Sequence, residues 1–76
     1  MGNVEITMLN TNRLLSIMAL FGDNQSALAK KIGINRSFLS KKIRRLAEFK
    51  ISEIQKIKDV YNLSEKDVVD IFFDKC

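Results

Sequence analysis

The sequence predicts an all-α fold, a compact domain of five short helices, and three observations favour it. Proline is absent and only three glycines occur among the 76 residues, which argues against a β-fold with many turns. Apolar residues recur at helical spacing in five successive segments. The chain has room for one hydrophobic core, so we expect one domain over residues 10–76, preceded by an N-terminal arm over residues 1–9.

The arm is the part of the chain with the weakest pattern. Val4, Ile6 and Met8 alternate with polar residues, which is typical of a strand. The run is short, so a frayed arm and an edge strand both remain open. A first helix is then predicted from about Thr11 to Phe21, because its apolar residues form one broad face.

The second helix is predicted over 25–32. Asp23 or Asn24 precedes it as a candidate N-cap, and Gly33 follows it, where a left-handed residue ends a helix without a Cβ penalty. Leu28 and Ile32 are spaced four residues apart, so both are expected to face the core.

The third helix is predicted from Arg36 to about Arg44, with Asn35 placed to cap it. Leu39 and Ile43 form its inward pair, and its outer face is expected to carry cations and hydroxyl groups without an acid.

Two further helices complete the expected fold. The pair Ser52 and Gln55 predicts a capping box that opens a fourth helix to about Tyr61. The pair Ser64 and Asp67 has the same spacing and predicts the start of a fifth helix.

The net charge of +4 is unevenly distributed. Residues 24–50 contain eight cations and one acid, a net +7, whereas the rest contains five cations and eight acids, a net −3. A basic segment of this kind indicates either a polyanionic partner or a solvated charged surface, and charge alone leaves both open.

The spacing in the middle of the chain is typical of two helices that cross through a short turn. Ala29 is small enough to let the helices approach, Gly33 makes the turn, Ile34 fills the angle and Leu39 anchors the second helix. The other residues of that second helix are then free to enter a DNA major groove.

The run QSALAKKIGINRSFLSKKI resembles the helix-turn-helix of the lambda-repressor/Cro-like superfamily. The later runs EFKISEIQKI and LSEKDVVDIFF resemble small Cro- or repressor-type regulators of temperate bacteriophages and prophages, so the resemblance covers about residues 11–73. It implies a lambda-repressor-like domain that regulates transcription by binding double-stranded operator DNA, as a homodimer, through a recognition helix at about 36–44. The chain departs from the family at Lys42, where many members are apolar, and at Arg44 and Arg45, which replace a glycine.

The resemblance also implies which residues contact DNA. They lie on the two motif helices and at their ends: Gln25, Asn35, Arg36, Ser37, Ser40, Lys41 and Arg44. Lys42 and Arg45, at positions where the chain departs from the family, are added to them as cations. Arg36 is the leading candidate for reading a base, because a guanidinium group binds guanine through two hydrogen bonds. Gln25 is expected to position a phosphate, and Lys42, Arg44 and Arg45 are expected to meet phosphates. Asn35 either caps the helix or contacts a phosphate.

One aromatic residue of the motif has two interpretations. Phe38 either contacts a thymine methyl group or packs into the core, and its place beside Leu39 favours the core.

Enzymatic function is not expected. The chain has no His, and its single Cys is the last residue, so it lacks a Ser–His–Asp triad, a Cys–His pair and a Cys/His zinc site. We predict no catalytic residue, no metal site, no cofactor and no small-molecule effector. No apolar stretch is long enough to span a membrane, and a bacterial cytoplasm is the expected compartment.

The alternative is a protein-interaction module, such as an antirepressor or an antitoxin-like partner, that retains the helix-turn-helix fold. Exposed apolar residues near 71–73 motivate it. Phe72 and Phe73 are adjacent and cannot easily both face so small a core, so one of them is expected either to pack within the chain or to contact a second copy.

Overall fold

The protein's structure, a computed structural model, describes the backbone of residues 7–75 and the side chains of residues 9–73. Val4, Ile6 and Cys76 lie outside these residues. The predicted all-α class with five helices is confirmed. The helices are α1 Thr11–Leu20, α2 Gln25–Ile32, α3 Arg36–Ile43, α4 Ile51–Tyr61 and α5 Glu65–Phe72.

Two strands of two residues bring the ends of the described chain together. β1, Thr7–Met8, pairs antiparallel with β2, Asp74–Lys75. The Asn10 backbone N–H then donates to the carbonyl of Ile71 over 2.6 Å. Residues 7 and 8 are therefore a strand rather than a frayed segment, and their partner strand β2 follows closely after α5.

Helix starts follow the chemistry of N-caps. Asn24, rather than Asp23, caps α2: its Oδ1 accepts the Ala27 backbone N–H over 2.8 Å. At the start of α5 the predicted capping box is present, because Ser64 Oγ accepts the Asp67 N–H over 3.1 Å while Asp67 accepts the Ser64 N–H over 3.2 Å.

The start of α4 differs from the prediction. The expected capping box of Ser52 and Gln55 is wrong, because α4 already begins at Ile51 and both residues are exposed on it. Glu53 occupies the third helical position instead, and its Oε1 accepts the Lys50 backbone N–H over 2.8 Å. Glu53 also pairs with a residue of α3, which explains why it is preferred at this position.

Four of the five helices end at a residue with a left-handed backbone. These residues are Gly22, Gly33, Arg45 and Asn62, with φ of 74°, 76°, 65° and 51°. In each case the following N–H bonds a carbonyl five residues back, as Leu46 does to Lys41 over 2.8 Å. A Cβ at residue 33 would meet nothing within 4 Å, so only φ favours glycine there. Of these four left-handed residues, only Arg45 has a long side chain.

All five helices contribute to the core, together with Leu9, which lies before α1. The predicted inward pairs on α2 and α3 are confirmed, since each of their four side chains is almost completely buried. Phe72 is buried and Phe73 is 39% exposed, so only one of these two adjacent residues faces the core, as expected. The buried apolar residues are Leu9, Leu14, Met18, Leu28, Ala29, Ile32, Leu39, Ile43, Ile54, Ile57, Tyr61, Ile71 and Phe72.

Among residues 7–75 we find no helix with both the length and the apolar character that crossing a bilayer requires.

Candidate nucleic-acid interface

The central feature is the packing of α2 against α3 across the short connection at residues 33–35. Ala29 and Leu39 are buried, and Ile34 packs against the core from the connection. The Ile34 backbone N–H donates to the Ala29 carbonyl over 3.0 Å, which closes the end of α2. These contacts fix α3 by its inward face and leave its opposite face in solvent.

The outer face of α3 is cationic and contains no acid. Ser37, Lys41 and Arg44 are exposed and follow one another at helical spacing, so they form one stripe along the helix. Arg36 is exposed beside this stripe at the start of α3. Arg36 and Lys30 of α2 both line an open depression of the surface. The arrangement presents positive charge over the length of α3.

Within the described residues, the cations of this surface have no partner. The side chains of Lys30, Arg36, Lys41 and Arg44 are exposed and make no hydrogen bond or ion pair with another described residue. Their charges are therefore available to a ligand.

Asp23, which precedes α2, is paired with its neighbours. Lys31 Nζ lies 2.8 Å from one carboxylate oxygen, and the Tyr61 hydroxyl donates to the same oxygen over 2.8 Å. The hydrogen bond from Lys31, and then that from Tyr61, hold the pKa of Asp23 below its usual value. Burial, together with this carboxylate, raises the pKa of Tyr61. No local sequence pattern indicates the contact between Asp23 and Tyr61, because the two residues are 38 positions apart.

Lys42 does not belong to the outer face, which corrects its prediction as a phosphate contact. It lies three residues after Leu39 and next to Ile43, so helical phase turns it inward. Its side chain is only 10% exposed and pairs with the carboxylate of Glu53. The ammonium group also lies 5.9 Å from the centre of the Phe49 ring.

Glu53 is held in its charged form at this inner site. Burial alone would raise the pKa of its carboxyl group, but hydrogen bonds from Lys42 and from the Lys50 backbone outweigh burial and lower it. Glu53 thereby joins α3, the following connection and the start of α4.

Arg45 is also separated from the outer face of α3. Its Nε donates to the Leu9 carbonyl over 3.0 Å, so the guanidinium group is tied to the segment that precedes α1. Thr11 Oγ1 makes a second link nearby, donating to the Ile43 carbonyl over 2.8 Å. Arg44, by contrast, stays exposed at the end of α3.

The remaining predicted residues lie at the start and edge of the outer face. Gln25 is the first residue of α2 and is half-buried. Asn35 caps α3, since its Oδ1 accepts the Ser37 N–H over 2.7 Å, so the capping alternative is the observed one. Ser40 is half-buried at the edge of the face.

Phe38 is exposed where burial was expected, the opposite of Lys42. The core interpretation is wrong, because the side chain is 59% exposed. The inward arc of α3 is filled by Leu39, Lys42 and Ile43, which leaves residue 38 outside it. Helical phase could have indicated this, whereas hydropathy favoured burial.

A second depression lies away from α3, between the connection that precedes α4 and the end of α5. It has a volume of about 340 Å³, and its walls include the apolar side chains of Leu9, Phe49, Ile54, Phe72 and Phe73. No group of three or more Cys, Asp or Glu side chains in the described part of the chain is arranged to hold a metal ion.

Comparison with known proteins gives no match: no protein-family model, no curated protein and no solved structure is similar to this chain. Its function has to be inferred from its own residues.

Proposed function

We propose that the protein is a sequence-specific regulator of transcription, of the phage or prophage Cro/repressor type, that places α3 in the major groove of operator DNA. One observation carries this proposal. The outer face of α3 contains no acid and exposes Lys41 and Arg44 without a partner among the described residues, while Asp23 and Glu53 are paired with other lysines. A surface of this kind suits a polyanion.

The residues of this surface suit different parts of a duplex. Arg36 stands at the first turn of α3, the end that meets base edges when such a helix enters the groove. Its guanidinium group suits guanine O6 and N7. Ser37 follows Arg36 along the groove, and the side chains of Gln25, Lys30, Lys41 and Arg44 are suited to phosphates.

We expect two copies to bind one operator, with half-sites about one helical turn, roughly 10 bp, apart. Val69 is 53% exposed and Phe73 is 39% exposed at the end of α5, which offers an apolar contact between copies. A bacterial cytoplasm, where operator DNA is accessible, is the compartment that this role requires.

The test is a gel-shift titration with duplexes from the DNA flanking the protein's own gene. We expect binding that a scrambled duplex does not compete away. We also expect log K to fall with log salt at a slope of about −3 per protomer, since about three phosphates meet Lys30, Lys41 and Arg44. Equal competition by scrambled DNA would contradict sequence specificity, and a flat salt response would contradict the phosphate contacts.

A second candidate function is a protein-interaction module such as an antirepressor or an antitoxin-like partner. The depression of about 340 Å³, which Phe73 lines together with other apolar and three charged residues, favours it, because pockets at interfaces accept protein side chains. A pull-down that returns one tight protein partner, from a chain that binds no operator, would support this function over DNA binding.

A further inference from the structure

Phe38 is the most exposed of the described aromatic side chains, and it lies on α3 itself. It is 59% exposed, whereas Phe21 at 51% still packs on Tyr61 with ring centres 4.8 Å apart. Among the described residues Phe38 has no ring partner and stands outside the core cluster. The ring therefore contributes little to the fold, and its apolar surface meets water.

The surroundings of Phe38 indicate what would cover this ring. Ser37 precedes it and Lys41 follows one turn later, both exposed, and the helix between residues 36 and 43 contains no acid. A partner that covers Phe38 must therefore accept cations around an apolar contact. The major groove of DNA has this chemistry, because phosphates flank it and the C5-methyl group of thymine is the apolar group displayed on its floor.

Phe38 is also placed at the right end of α3. It is the third residue of the helix, within the first turn, and the N-terminal residues of such a helix are those that meet base edges. Lys41 and Arg44 follow further along the helix.

We propose that Phe38 is a specificity-determining residue that contacts the C5-methyl group of a thymine in the operator. This inference rests on the proposed function and adds a named base contact to it. Phe38 selects thymine by apolar contact, while Arg36 selects guanine by hydrogen bonds, so the two residues read different bases of one half-site.

The experiment removes the methyl group without changing base pairing. Duplexes are first selected from a random library by the wild-type protein, and each thymine of the selected site is then replaced in turn by deoxyuridine. Kd is measured for the wild type and for Phe38→Ala. We expect at least one replacement to weaken wild-type binding about fourfold, the factor that corresponds to one buried methyl group. The same replacement should leave the affinity of Phe38→Ala unchanged.

Controls separate the contact from general effects. Leu20 is 81% exposed at the end of α1, so Leu20→Ala removes a comparable exposed apolar side chain and should keep the wild-type response to deoxyuridine. The melting temperature of Phe38→Ala should equal that of the wild type.

Each other outcome contradicts the inference in a different way. Deoxyuridine effects of equal size in the wild type and in Phe38→Ala, or no effect at any thymine, would overturn the contact while leaving DNA binding intact. Failure to select any duplex would overturn the proposed function and the contact together. Unchanged DNA affinity in Phe38→Ala, with loss of a bound protein, would assign the ring to a protein partner instead.

Discussion

Lys41 and Lys42 are consecutive residues of α3, yet their ammonium groups lie in opposite surroundings. Lys41 is exposed on the outer face without a partner among the described residues, whereas Lys42 is buried against Glu53 and the Phe49 ring. One position along the helix turns a side chain by about 100°, and this rotation separates a charge that can bind a ligand from one that holds the fold together.

The two faces show why a count of charges overstates a binding surface. Of the eight cations in residues 24–50, Lys31 and Lys42 are in ion pairs and Arg45 is bonded to a backbone carbonyl. The same pairs also engage Asp23 and Glu53, whereas Glu48 is exposed without an ion pair among the described residues. The cationic surface that remains is smaller than the sequence indicates.

The largest effect is expected from breaking the inner pair. Lys42→Met leaves the charge of Glu53 buried without its partner, and we expect a loss of about 2–3 kcal/mol in the free energy of unfolding. Lys41→Met makes the same chemical change on the outer face, where we expect a change within about 0.5 kcal/mol. Urea unfolding of the two variants measures the difference.

A double variant sharpens this result. Lys42→Met combined with Glu53→Gln removes both charges, and glutamine still accepts the Lys50 N–H, so much of the lost stability should return. Equal losses in Lys42→Met and Lys41→Met would show that the inner pair contributes nothing.

The next effect concerns the outer face and is measured as DNA affinity. Arg36→Ala is expected to cost about 1–3 kcal/mol on the preferred sequence and to relax the preference at one base pair. Arg44→Ala should weaken binding to all sequences alike and reduce the salt slope by about 1. Affinities measured for a set of single-base operator variants distinguish the two patterns, and the reverse assignment would exchange the roles of the two residues.

The smallest effect is expected in the pH dependence of stability. Folding lowers the pKa of Glu53 from its ordinary 4.5, so the unfolded chain binds its proton first as the medium becomes acidic. The contribution of Glu53 is therefore complete above about pH 4.5 and is lost as pH falls through the lower pKa of the folded state. Asp23 acts in the same direction.

Melting temperatures between pH 7 and pH 2 measure this loss. In Lys42→Met the pKa of Glu53 loses its main lowering contact, so the decline should be shallower than in the wild type, while Lys41→Met should follow the wild type. A wild-type stability that stays level through this range would contradict the lowered pKa values.

Local chemistry explains which parts of the fold could be predicted from the sequence. Asn24 and Ser64 each bond to a backbone N–H group three residues away, and Gly33 adopts a φ that disfavours other residues, so each acts without help from distant elements. The start of α4 was predicted wrongly. Glu53 is favoured near the start of this helix by its ion pair with Lys42, which joins residues 11 positions apart and follows no local rule.

The same distinction applies to the interface. The outer positions of α3 follow from its period, and Ser37, Lys41 and Arg44 are exposed as predicted. Phe38 and Lys42 were misjudged because hydropathy was given more weight than helical phase, which places the aromatic ring outside and the lysine inside. The position of Arg45 could not be predicted for another reason. Its side chain bonds to the Leu9 carbonyl, a contact between residues 36 positions apart that helical phase does not indicate.

The links between the end of α3 and the start of the chain have a consequence for the order of folding. The Thr11–Ile43 and Arg45–Leu9 hydrogen bonds close loops of 32 and 36 residues, and β1 pairs with residues near the other end of the chain. Closing long loops costs entropy before their contacts repay it, whereas α2 and α3 are joined by three residues. We therefore expect α2 and α3 to pack against each other early in folding and the two ends of the chain to pair last. The outer face of α3 then forms before the chain ends pair.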